Sequence, residues 1–268
     1  MTSRSYEFSH VVARKPCAAI TKGLRAIDTG TPDLAIFLQH HADYITTLES
    51  AGAQVVILDP LEEFPDSVFV EDTALCLPEV AIAMRPGAPT RLREAEAMVT
   101  ALAEIYGTVL RIEGPGHIEG GDILVTEREI LVGTSARTDR AGIDELRGLV
   151  AAWGYTLRAL NTPEGVLHFK TDCSLLDEDT ILSTRRLAQT GCFEGYRVVL
   201  TAEGEEASAN CIRINDLVIM PDGFPRTEAI LCDAGYKTRK VGNTEAAKLD
   251  GGMSCLSLRF TPPKNGSV

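Results

Sequence analysis

At 268 residues and 28.9 kDa, with 44% hydrophobic residues, the chain can bury one large core or two small ones. No run of about 18 apolar residues occurs, which argues against a transmembrane span, and the polar N-terminus lacks the apolar centre of a secretory signal. The net charge of -12 disfavours nucleic acid and suits a small cationic substrate. Seven scattered cysteines, odd in number and never spaced CxxC, argue against a disulfide framework and a zinc site and favour a reducing cytoplasm.

Taken in chain order, His10 to Ala13 reads as a strand. Thr31-Pro32-Asp33 then reads as a helix start, with a capping hydroxyl, proline at the first position and an acid after it. Leu34, Phe37, Leu38, Ile45 and Leu48 continue at helical spacing until Gly52, and Val55–Leu58 is a strand. A unit of strand, strand, helix and strand follows: Thr73–Leu77, Val80–Met84, Arg91–Ile105 and Val109–Ile112. The pattern repeats over Asp122–Val125, Ile130–Gly133, Ala141–Trp153 and Thr156–Leu160. It repeats again over Cys173–Leu176, Thr180–Ser183, a short helix and Val198–Leu200. A further copy has Cys211–Ile214, Leu217–Met220, Arg226–Cys232 and Thr238–Val241.

The unit openings, Glu71-Asp72, Glu119-Gly120-Gly121-Asp122, His168 to Asp172, Asn210-Cys211 and Gly251 to Cys255, recur roughly every 40–50 residues, the period of a repeat architecture. The last unit has only its first strand, Leu256–Phe260, before the chain ends. If His10 to Ala13 pairs with it, the units close into a ring and the openings face one cavity. The expectation is a single domain over residues 1–260 with a disordered Pro/Gly/Ser-rich tail at 261–268; an ordinary α+β sandwich is the alternative.

The openings hold residue types suited to nucleophilic catalysis on a cation. Cys255 follows two glycines that let backbone approach a ligand closely, and its thiol needs a cationic neighbour or substrate to ionise near neutral pH. His168 is the acid/base candidate, with His117 second. Glu119 is placed to orient His168 and favour its protonated form. The acids Asp66, Glu71 and Asp72 border the apolar Val68-Phe69-Val70 and therefore call for partners or a charged ligand. Arg91 and Arg137 are candidates for gripping a carboxylate. The glycine pairs lack a strand–GxGxxG–helix setting, which argues against dinucleotide binding.

The segments Phe64 to Asp72, Arg85 to Ala88, Ser135 to Thr138, Leu167 to Lys170, Ala209 to Cys211 and Asp250 to Cys255 together resemble the dimethylarginine dimethylaminohydrolase family of the pentein superfamily, in order from His10 to Phe260. The resemblance implies a five-bladed, pseudo-fivefold α/β propeller of ββαβ units around a central channel. It also implies hydrolysis of methylated arginines to citrulline through a covalent S-alkylthiouronium, without metal or organic cofactor. By the same resemblance Cys255 is the nucleophile, His168 the proton donor and later the base, and Glu119 its support. Asp72 with Glu71 anchors the guanidinium, Asp66 contacts the α-amino group, Arg91 and Arg137 clamp the carboxylate, Leu24 sits in a lid and Leu249 offers a backbone carbonyl. Deiminases of the same superfamily carry an acid two residues after the histidine, where this chain has Lys170. A dimethylated nitrogen has no N–H for such an acid, which would be buried unpaired. The expected partner is therefore a methylated arginine, with no nucleic acid or membrane involved and a homodimer compatible with the fold. The rivals are an arginine or citrulline hydrolase, and a non-catalytic pentein that binds a macromolecule.

Overall fold

The computed structural model describes residues 4–262. Its elements are β1 (His10–Arg14), α1 (Leu34–Ser50), β2 (Gln54–Leu58), β3 (Ala74–Cys76), β4 (Ala81–Ala83), α2 (Glu94–Tyr106) and β5 (Val109–Arg111). These are followed by β6 (Ile123–Val125), β7 (Ile130–Thr134), α3 (Arg140–Ala151), β8 (Leu157–Asn161), β9 (Cys173–Leu175), β10 (Thr180–Ser183), α4 (Arg185–Ala188) and β11 (Arg197–Leu200). The chain ends through β12 (Ile212–Ile214), β13 (Leu217–Pro221), α5 (Pro225–Asp233), β14 (Lys237–Val241), α6 (Thr244–Ala247) and β15 (Leu258–Phe260).

These strands form five three-stranded sheets, ordered β15-β1-β2, β3-β4-β5, β6-β7-β8, β9-β10-β11 and β12-β13-β14. In each, the middle strand runs antiparallel to the first and parallel to the third. A parallel neighbour needs a crossover, and in every sheet one of α1 to α5 supplies it. The ring closes as the patterning expects: His10 lies opposite Phe260 and Val12 opposite Leu258, so one unit takes its first strand from the C-terminus and the rest from the N-terminus.

The core is shared between units rather than held within them. Val12, Leu258 and Phe260 pack with Ala74, Ala81, Met98 and Leu102, and Ile82 and Met84 with Ile130, Val132 and Leu146. Leu124 and Leu131 join Phe169, Leu175 and Ile181, Leu182 joins Val218 and Met220, and Ile212 and Ile219 join Val11 and Tyr44. Each apolar cluster thus staples one unit to the next, and the last returns to the first, which produces a five-bladed α/β propeller.

Local departures from the sequence reading are small. The cap of α1 is Asp33, whose Oδ1 accepts from Ala35 and Ile36 N at 2.8 and 3.1 Å, so the helix starts after Pro32 rather than at it. Arg91 lies in a single 3₁₀ turn, Pro89–Arg91, ahead of α2. Thr261, expected in the tail, is hydrogen-bonded to Ser9 N and Glu7 O; the rest of that tail from 263 onward lies outside the described residues.

One device sets up the site. A 3₁₀ turn precedes the first strand of every unit: Val70–Thr73, Gly120–Asp122, Phe169–Thr171, Glu206–Ala209 and Ser254–Leu256. The five first strands line a cavity of about 800 Å³ on one side of these turns. A second cavity, about 150 Å³, opens on the other side. The turns are therefore a partition across the ring, packed so closely that a Cβ on Gly120 would sit 2.0 Å from the Glu71 carbonyl oxygen. Gly120→Ala should lower Tm by about 5 °C or more, the equivalent of an overpacking cost of roughly 2 kcal/mol; an unchanged calorimetric melt would refute the close packing of the partition.

Candidate active site

The smaller cavity is lined by Leu24, Asp66, Asp72, Arg91, Glu119, Arg137, His168, Leu249 and Cys255, together with Arg25, Ala26, Phe69, Leu167, Asp250 and Gly251. Nine of the eleven residues singled out from the sequence therefore share one small space; His117, the second acid/base candidate, lies outside it against Arg85, and Glu71 is described below. Cys255 and His168, 87 positions apart in the chain, both face it.

Glu119 precedes its 3₁₀ turn in extended backbone, and its fully buried carboxylate works in two directions. Oε1 accepts from Gly87 N at 2.9 Å and Ala88 N at 3.3 Å, with Arg137 Nη1 at 3.5 Å. Oε2 meets His168 Nε2 at 2.6 Å. Burial alone would raise this carboxyl, but the His168 hydrogen bond and the neighbouring cations hold it at about 2. Burial pulls His168 down, but Asp72, Asp122 and Glu119 outweigh it and raise the imidazole to about 9. At neutral pH the pair is an imidazolium on a carboxylate.

Asp72 accepts from Arg91 Nη1 at 2.6 Å through one oxygen and from Gly121 N at 3.0 Å through the other, which lies 4.0 Å from His168 Nε2. Arg91 is heavily committed. Nε and Nη2 donate to Glu94 Oε2 at 3.0 and 2.8 Å, and Nη2 also donates to Phe69 O at 2.9 Å. Of its five N–H groups, the second on Nη1 is left for a ligand. Arg137 is less constrained and closes the same end of the cavity.

Glu71 is placed differently from the sequence expectation. Its carboxylate does not line this cavity but takes Lys170 Nζ at 2.6 Å, Arg259 Nη2 at 2.8 Å and Ser254 Oγ at 2.7 Å, all bordering the larger cavity behind the partition. Successive residues of a tight turn point to different sides, so Asp72 enters the site and Glu71 braces its back.

Cys255 is buried, and its sulfur lies 3.4 Å from Gly252 N and 3.9 Å from Asn210 Nδ2. Burial first, then the charges of Glu71 and Asp72, push the thiol up to about 12. At neutral pH the sulfur is a neutral thiol. Over the mouth runs the 23–30 loop: Leu24 N donates to Asp66 Oδ1 at 2.9 Å, and Ala26 N to Asp250 Oδ2 at 2.6 Å. Asp250 adopts φ +59° to do this, an unusual conformation for a residue other than glycine. Sequence reading missed Asp250 and Glu94; the first follows a backbone conformation with no sequence signature, the second was visible as an acid three residues after Arg91.

Among the described residues, one group has the spacing to hold a metal ion, Asp72, Glu119 and His168, with ligand atoms within 4.8 Å of one another. It coincides with the acidic end of this cavity, where the facing cations are Arg91, Arg137 and the His168 imidazolium.

Comparison with known proteins matches residues 39–210 to the arginine deiminase family. N(G),N(G)-dimethylarginine dimethylaminohydrolase of Pseudomonas aeruginosa is 38% identical over 94% of this chain and 100% of its own. The chain belongs to the dimethylarginine dimethylaminohydrolase family. Its Streptomyces coelicolor counterpart is 30% identical over 93% of this chain and 96% of that one. A solved structure of a cysteine-to-serine variant of the Pseudomonas enzyme, complexed with citrulline, superposes with a TM-score of 0.92 at 37% identity, covering 95% of this chain and all of the other. The N-terminal domain of a cyanobacterial arginine dihydrolase, 20% identical with a TM-score of 0.84, shares the fold.

The His168 acid form depends on its neighbouring carboxylates. In Glu119→Gln the imidazole midpoint should drop from about 9 toward the ordinary histidine value, so the proton is lost at lower pH. Carbon-13 NMR titration of the ring measures this, and an unmoved midpoint would show that Glu119 does not hold the charge.

Proposed function

We propose that the chain hydrolyses Nω,Nω-dimethyl-L-arginine and Nω-monomethyl-L-arginine to L-citrulline with release of dimethylamine or methylamine. The observation that carries this reading is the convergence of a thiol, an imidazolium and the carboxylates of Asp66, Asp72 and Glu119 on one cavity of about 150 Å³, in a chain whose relatives bear that name.

The guanidinium lies against Asp72 and Glu119. The α-ammonium meets Asp66, whose second oxygen is not used by Leu24 N, and the carboxylate meets Arg137 and the remaining Arg91 N–H. Leu249 offers its carbonyl and Leu24 covers the mouth; Glu71 acts from behind, by holding Lys170 and Ser254 in the partition.

With burial and the neighbouring acids pushing the thiol up, sulfur is protonated at pH 7 in the free protein. A bound guanidinium brings a positive charge to within bonding distance of sulfur and lowers that cost, so the substrate activates its own nucleophile. Sγ bonds to the guanidinium carbon, and His168 gives its proton to the departing dimethylamine nitrogen as the C–N bond breaks. This leaves an S-alkylthiouronium and a neutral imidazole. His168 then takes a proton from water, the hydroxide oxygen bonds to the same carbon, and the C–S bond breaks to restore the thiolate as the new hydroxyl gives its proton to solvent and becomes the citrulline C=O. One water is consumed, and no electron is gained or lost.

Lys170 supports a methylated substrate over arginine. Its ammonium is bound to Glu71 in the partition, so no second acid grips the guanidinium from that side. The match to the arginine deiminase family keeps arginine as the second reading. A reducing cytoplasm is part of the proposal, supported by seven free thiols; no helix among the described residues is long and apolar enough to cross a membrane. So is a single catalytic domain over residues 1–260.

Incubated with dimethylarginine, the protein should release citrulline and dimethylamine in equal amounts. Cys255→Ser should abolish both while leaving the circular dichroism spectrum and melt intact. kcat/KM for arginine should be lower than for dimethylarginine by about tenfold or more, a transition-state difference near 1.4 kcal/mol. A preference for arginine would reassign the chain to the second reading, and turnover by Cys255→Ser would end the covalent mechanism.

A further inference from the structure

Asn210 opens one of the five units, yet nothing above gives it a chemical task. It lies 7% exposed at the end of its 3₁₀ turn and is bound to the nucleophile's turn from three directions. Its carbonyl accepts from Met253 N at 3.3 Å, its Oδ1 accepts from Ser254 N at 3.0 Å, and its Nδ2 lies 3.9 Å from Cys255 Sγ. The second contact fixes the third. Ser254 N–H is a donor and needs an acceptor, so the amide oxygen must face it and the NH₂ group must face the sulfur.

The other side of the sulfur meets Gly252 N at 3.4 Å. A Cβ on Gly252 would lie 2.2 to 2.6 Å from the Asn210 amide atoms, so only glycine lets the amide and this N–H reach one sulfur. Around the thiol the nearby acids Glu71 and Asp72 oppose ionisation, and Lys170 and the Gly252 N–H favour it. Dipoles aimed at an atom that gains negative charge are among the strongest catalytic devices available to a protein.

We propose that Asn210 is a positioning residue for Cys255 that, together with the Gly252 N–H, cradles Sγ in its thiolate form. The cradle acts twice: when sulfur ionises to attack, and when it leaves the thiouronium as thiolate. This rests on Cys255 being the nucleophile, but its test needs no turnover.

The measurement is alkylation of Cys255 by iodoacetamide across pH 6 to 10, read by peptide mass spectrometry with the exposed Cys232 of the same molecule as internal reference. In Asn210→Ala the Cys255 rate at pH 8 should fall by about tenfold or more relative to Cys232. Asn210→Asp keeps an acceptor for Ser254 N but removes the donor to sulfur, and should slow alkylation at least as much. For turnover of dimethylarginine, kcat should fall by ~10²-fold with KM little changed. A merely structural clamp predicts the opposite sign: once it is cut, the turn loosens, the sulfur is exposed, and alkylation rises or holds. Cys255 alkylation unchanged or faster in either variant overturns the proposal, whatever the melting temperature. If the parent protein leaves dimethylarginine intact while the alkylation result holds, the proposed function fails and the role of Asn210 stands.

Discussion

The structure depends on keeping ionised groups out of water at the centre of the ring. Isolated buried charges cost several kcal/mol each, and breaking one partner from a buried pair is strongly destabilising. Here every such group is tied to an adjacent turn: Glu119 to His168, Asp72 to Arg91 and Gly121 N, Asp122 to Phe169 N and Ser135 Oγ, Glu71 to Lys170, Arg259 and Ser254. The pairs that hold the turns together are also the pairs that create the site. Stability and chemistry therefore share the same side chains.

That arrangement separates two sides of one partition. Behind it, Lys170 and Arg259 both satisfy Glu71 and face a wide cavity lined by the first strands. In front, the acids Asp66, Asp72 and Glu119 line the small cavity beside Arg91, Arg137 and the His168 imidazolium. Burial first, then the nearby charges of Glu71 and Asp72, disfavour a resting thiolate and hold the Cys255 thiol high. A cationic ligand beside the sulfur would offset that cost and make its ionisation easier.

The sequence made the repeat legible because its signals are local. Alternating strand residues, helical spacing such as Phe37, Ile45 and Leu48, and a glycine at each stop are properties of short windows, and the observed strands fall within a few residues of the reading. The pairing of His10 with Phe260 could be inferred because one unit lacked strands and the chain start had a spare one. The site residues were legible as a set, since acids, a histidine and a cysteine recur at the same point in each unit. The side of the partition that each faces was not, because Glu71 and Asp72 are neighbours in one tight turn. Asp33 as the cap of α1 and the latch from Asp250 to Ala26 were likewise hidden, because both turn on which backbone N–H lies within reach.

By itself, then, the amino-acid order determined the units, their number, their closure into a ring and the kinds of side chain at their openings, since these follow from periodicity and from which strands lack partners. Only the tertiary structure decided which oxygen meets which nitrogen. Packing the turns against one another chose His168 for Glu119, Arg91 for Asp72, Lys170 for Glu71, and the amide of Asn210 for the sulfur of Cys255. Those choices join residues far apart in the chain, and distances of about 3 Å across a fold are set by how all five units pack, not by any one of them.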